Sequence, residues 1–167
     1  MYGSLRRRAA VAMLASSVLL AAPLAAAPVA ASDLTFPAGI ACGFELGIDV
    51  GDGGPQHYRA FTDDAGQVLW WIAAGRGNDL TFTNVATGAT LSLDATGAVQ
   101  AAANHPDGTT TLTLIGQNVL ILFPSDVPAG PSTTLQVGRV VIDIDAAGNF
   151  AVTAVSGITM DICAALS

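Results

Sequence analysis

From residue 44 onward, apolar and polar positions alternate with a period of two, and turns interrupt the pattern every eight to twelve residues. Successive side chains of an extended strand point to opposite faces, so this pattern predicts half-buried β-strands. Phe44, Leu46, Ile48 and Val50 alternate with Glu45, Gly47 and Asp49, and Asp52-Gly53-Gly54-Pro55 then turns the chain. Strands over 57–62 and 67–73 flank Asp63-Asp64-Ala65-Gly66, a hairpin loop built of turn-forming residues. Shorter strands follow over 80–84, 90–94 and 98–102, separated by Ala86-Thr87-Gly88 and Ala95-Thr96-Gly97. Pro106-Asp107-Gly108 leads into 109–115, and Gly116-Gln117-Asn118 reads as a turn into 119–123.

Residues 124–132 hold three prolines and a glycine. Proline has no N–H to give a central ladder, so an irregular connection is expected there. Strands over 133–137, 139–145 and 150–155 complete the series, and 160–164 brings the last cysteine back. No window after residue 31 has the periodicity of an amphipathic helix. The pattern predicts an all-β domain: an antiparallel meander of about ten short strands closed as a β-barrel, with a two-sheet β-sandwich as the alternative.

The first residues depart from this pattern. Arg6, Arg7 and Arg8 form a positive start, 9–22 is an uncharged run rich in Ala, Val and Leu, and Pro23 and Pro28 break it. Val29-Ala30-Ala31 then offers the modest side chains that signal cleavage requires. The run is shorter than the ~20 residues of a membrane span. The expected organisation is a signal peptide over 1–31 and one secreted, extracellular domain over 32–167, with no membrane span in the mature chain.

Composition sharpens this picture. The chain has 167 residues, 51% of them hydrophobic and 11% charged, which excludes a disordered chain. Taking away the leader removes three of the six basic residues, all arginine. Only Arg59, Arg76 and Arg139 then stand against 13 acids, so the mature domain carries 3 − 13 = −10. Nucleic acid is not an expected partner, because binding it calls for a basic surface. The two cysteines, Cys42 and Cys163, lie near the two ends of the mature chain, and in an oxidising compartment they predict one disulfide.

Candidate chemistry is sparse. The chain has two histidines, His57 and His105, the latter in a turn, and it lacks Gly-x-Ser-x-Gly, His-Glu-x-x-His and phosphate-cradling loops. Asp143 and Asp145 alternate with Ile142 and Ile144, so their carboxylates share a strand face, where they could act as acid and base or simply face solvent. Glu45 joins Asp49 and Asp52 in an acidic cluster. Asp49 and Asp52 hint at a weak calcium loop, although most of the oxygen ligands are missing. No other metal and no cofactor is expected. Trp70 and Trp71 are adjacent within a strand, so they must point to opposite faces, one toward the core. The other, with Tyr58 and Phe61 on the neighbouring strand, could cover a rim or bind a ligand.

Four stretches carry a resemblance: 36–42 (Phe-Pro-Ala-Gly-Ile-Ala-Cys), 80–84 (Leu-Thr-Phe-Thr-Asn), 118–131 with its prolines, and 161–164 (Asp-Ile-Cys-Ala). Together they make the chain similar to small secreted actinobacterial proteins to which no activity is assigned. The resemblance implies secretion and the disulfide, and it carries over no catalytic or binding residue. The sequence therefore predicts a non-enzymatic binding or envelope-interaction module, with an unknown small molecule or envelope component as partner and a small apolar ligand inside if the barrel is open. The competing expectations are a hydrolase or isomerase using Asp143, Asp145 or Glu45, and a purely structural envelope or adhesion protein.

Overall fold

In a computed structural model, which describes residues 32–94 and 96–167, the alternating segments form ten strands. These are β1 (Leu34–Phe36), β2 (Leu46–Gly53), β3 (Gln56–Thr62), β4 (Val68–Arg76), β5 (Asn78–Asn84), β6 (Thr90–Leu93), β7 (Gly97–Asn104), β8 (Thr110–Leu122), β9 (Ser132–Ile144) and β10 (Phe150–Asp161). A single helical turn, α1 (Ile162–Ala165), ends the chain. The expected leader, 1–31, lies outside the described residues.

The strands pair antiparallel in two sheets, a four-stranded one ordered β1-β2-β5-β6 and a six-stranded one ordered β10-β9-β8-β7-β4-β3. Neither sheet closes, so the expected barrel is not formed and the two-sheet alternative fits. The links explain why. The connections after β2, β4 and β6 each carry the chain from one sheet to the other, which confines the meander to hairpins and the run from β7 to β10. Alternation reports which face a residue occupies, and says nothing of which strand lies beside it.

Strand lengths also differ from expectation. The segments 109–115 and 119–123 are one strand, β8, and 133–137 and 139–145 are one strand, β9, each of 13 residues. Gly116-Gln117-Asn118 is therefore no turn. Gly116, Gly138 and Gly157 stand opposite one another across β8, β9 and β10, and the same row continues through Ala98 to Gly75 of β4. Gly138 and Gly157 have φ of 150° and 110°. A Cβ on Gly138 would collide with the carbonyl oxygen of Ser156, and one on Gly157 with that of Val137, so glycine is required by close backbone approach.

This row is a crease. Leu112 and Leu114 lie before it on one face of β8, Leu120 and Leu122 lie after it on the same face, and all four pack in one cluster with Val140 and Ile142. In a straight strand Leu114 and Leu122 would be about 26 Å apart, so the six-stranded sheet folds over on itself. The opposite face beyond the crease carries Val119, Ile121, Leu135 and Met160, which pack on Leu46, Ile48 and Phe82 of the four-stranded sheet. Burying such a side chain contributes about 1.5–3 kcal/mol. The four-stranded sheet thus covers one half of the outer face and leaves the other half open.

The ends are fastened to the second of these cores. Cys42 and Cys163 form a disulfide with Cα atoms 5.6 Å apart, closing a loop of sequence separation 121. Thr133 Oγ1 donates to the Ala41 carbonyl at 2.9 Å and Asn84 Nδ2 to that of Leu166 at 3.1 Å. The proline-rich connection is irregular, as its sequence requires, and the buried carboxylate of Asp126 anchors it by accepting from the backbone N–H groups of Phe123 (2.6 Å) and Phe150 (2.9 Å). Val127 then bridges to Ala151 at the edge of β10. No helix among the described residues is long and apolar enough to cross a membrane.

Candidate functional site

The open half of the outer face is built by one cross-strand row: Phe61 of β3, Trp70 of β4, Ala103 of β7, Thr111 of β8, Asp143 of β9 and Ala151 of β10. Directly paired residues share a face, so sheet register brings together side chains that lie up to 90 residues apart in sequence.

At one end of the row is an aromatic patch. The rings of Trp70 and Phe61 are 4.7 Å apart at 39°, and the Arg59 guanidinium lies 4.7 Å from the Phe61 centroid. Trp70 and Phe61 remain 36% and 38% exposed, a large apolar area for surface residues. On its other side the directly paired cross-strand neighbour of Trp70 is the small Ala103. The expected splitting of the tryptophan pair is observed: Trp71 shares the inward face with buried Ala102 and packs against Tyr58 at 5.9 Å. Trp71 is half-buried and Tyr58 exposed.

About two strand spacings from Trp70, roughly 10 Å, the row enters a cleft of about 450 Å³ lined by His105, Thr111, Ser125, Asp143, Asn149 and Phe150, among others. Its size lies within the range of small-ligand sites. His105 Nε2 is 3.0 Å from Thr111 Oγ1, which donates to Asp143 Oδ1 at 2.8 Å. A threonine hydroxyl has one proton, and that proton goes to Asp143, so Nε2 must be the donor to Thr111. His105 Nδ1 is then the ring nitrogen without a partner among the described residues. Two flanking turns shape the cleft. Asp107 accepts from the Thr109 hydroxyl at 2.7 Å and N–H at 3.0 Å, and these bonds hold its carboxyl below the ordinary value. Asp145 accepts from the Asn149 side chain and backbone, both at 2.9 Å, with the same effect.

The remaining expected residues lie elsewhere. Asp143 and Asp145 do line one cleft, but Asp145 is committed to its turn. Glu45 precedes β2 in the other sheet, so the three acids do not converge. Asp49 lies in β2 opposite Thr81 and Asp52 near its end, and no group of three or more His, Cys, Asp or Glu is placed to hold a metal ion among the described residues. His57 lies on the exposed edge strand β3. The link between His105, Thr111 and Asp143 was invisible to sequence reasoning, since it depends on the β7–β8 turn and on β8–β9 register.

Compared with family models, curated proteins and solved structures, the chain has no match in any of the three.

Proposed function

We propose that this is a secreted, extracellular binding module that takes its ligand, a component of the cell envelope, on the open outer face of the six-stranded sheet. One observation carries the reading: a single cross-strand row joins the exposed Trp70–Phe61 pair to a cleft of mixed polar and apolar lining, on a face that no other strand or helix of the described residues covers. The disulfide supports secretion, because such bonds persist in oxidising compartments.

An enclosed apolar ligand has less support. The fold of the six-stranded sheet is filled by Leu114, Leu120, Leu122, Val140 and Ile142, and the roughly 240 Å³ cleft beside it is lined by Gln100, Asn118, Leu114 and Val119 among others, but by neither tryptophan. Hydrolysis is also disfavoured. Glu45 adjoins the other sheet and Asp145 accepts from its own turn, so the expected acids do not pair, and the Thr111 hydroxyl accepts a hydrogen bond from His105, the reverse of an activated nucleophile, which donates to its histidine.

The test is binding of the purified secreted protein to cell-envelope material from the producing cells, beside a Trp70→Ala variant of unchanged circular dichroism. Saturable binding that the variant loses is the expected result. Binding equal in both proteins, or none in either, overturns the reading.

A further inference from the structure

We infer that the ligand of this face is an uncharged polysaccharide, with one sugar hydrogen-bonded in the His105–Asp143 cleft and another stacked on Trp70; the inference rests on the outer face being the binding site. The hydrogen-bond inventory of the cleft points to this class. The Thr111 hydroxyl gives its proton to Asp143, the Thr109 hydroxyl gives its proton to Asp107, and Asn149 Nδ2 is engaged with Asp145. What remains among the described residues is the acceptor Asp143 Oδ2, the ring nitrogen His105 Nδ1, the Ser125 hydroxyl and the second proton of Asn149 Nδ2. A ligand that satisfies them must bring donors and acceptors together, as the hydroxyl groups on the rim of a sugar do.

Charge narrows the class further. Asp143 and Asp145 line the cleft of a domain with far more acids than bases, which disfavours an anionic ligand. Arg59 occupies the Phe61 ring, so a cation approaching the aromatic end meets a like charge already in place. The aromatic end then has to take something uncharged and apolar. The C–H face of a sugar ring is such a surface, and the exposed Trp70, paired with the small Ala103, can receive it. The separation of the two ends, roughly 10 Å, calls for a chain and not a single sugar. Lipid acyl chains satisfy the indole but leave the polar groups of the cleft unpaired, and a peptide, whose backbone N–H groups can pair with them, is separated from a sugar by the protease arm of the test.

Affinity electrophoresis in gels containing a soluble glucan, mannan or galactan, together with envelope-binding assays, tests the inference. Wild-type protein and Glu45→Gln, altered on the other sheet, are expected to be retarded equally by at least one of the three polysaccharides. Trp70→Ala and Asp143→Ala are expected to lose about tenfold or more in affinity, and Trp70→Phe to recover most of it, which separates stacking from misfolding. Envelope binding is expected to vanish after periodate cleavage of vicinal diols and to survive protease treatment. Trp70-dependent envelope binding that survives periodate, is destroyed by protease, or is competed only by an anionic polysaccharide overturns the sugar assignment while leaving the face as a binding site. If Trp70→Ala changes no binding at all, both the assignment and the proposed site fall.

Discussion

Gly138 stands directly opposite Gly157 across the β9–β10 ladder, and a Cβ on either would run into a carbonyl oxygen of the neighbouring strand. Gly138→Ala is therefore expected to combine a strained positive φ with backbone displacement, costing about 3 kcal/mol or more. Gly77→Ala, where a Cβ meets nothing within 4 Å, is the control and should stay within about 0.5 kcal/mol. Urea denaturation of both variants measures the difference, and equal midpoints would remove the crease as a structural requirement.

Asp126 clamps the proline-rich connection against the first residue of β10. Asp126→Ala leaves the N–H groups of Phe123 and Phe150 without their acceptor, at about 1–3 kcal/mol for each group that water cannot reach. Hydrogen exchange provides the readout: the Phe150 amide should exchange much faster in the variant, while amides of β2 and β5 should not change.

Cys42 and Cys163 enclose nearly the whole domain. On the loop-closure argument, a bond spanning 121 residues contributes about 5 kcal/mol by restricting the unfolded chain. The double variant Cys42→Ala/Cys163→Ala should unfold at a far lower denaturant concentration than the wild type. Adding reductant to the wild type should reproduce most of that shift and leave the variant unaffected.

Acid should loosen the turns beside the cleft first. Asp145 is held below its ordinary value by Asn149, and Asp107 by Thr109. A folded value below the unfolded one means that the folded state binds fewer protons in that range. The resulting stabilisation is complete above the unfolded value, about pH 4, and is lost as pH falls through the folded one. Melting temperature should therefore drop as pH is lowered below about 4, and the drop should be shallower in Asp145→Asn. Identical pH profiles for the two proteins would contradict the turn bonding.

Features set by local geometry were legible in the sequence. The strand begun at Leu46, the opposed faces of Trp70 and Trp71, the Asp63 and Asp145 turns and the Cys42–Cys163 bond all follow from strand period, turn chemistry or residue count, although Val50 is 41% exposed where the alternation expects it buried. Features set by strand neighbours were not. Gly116 and Gly138 read as breaks because glycine also marks turns, and only the register shows them aligned across a continuous sheet. Thr111 gave no signal at all, being one threonine among many until β9 places Asp143 beside it. The barrel was expected because a period of two is satisfied equally by closed and open sheets.

The disulfide also has a mechanical meaning. Tension applied between residues 32 and 167 can peel only the few residues outside the Cys42–Cys163 loop before it passes through a covalent bond. The ladders from β2 to β10 then bear none of the load, and the outer face that holds Trp70 and Asp143 keeps its shape under a pull.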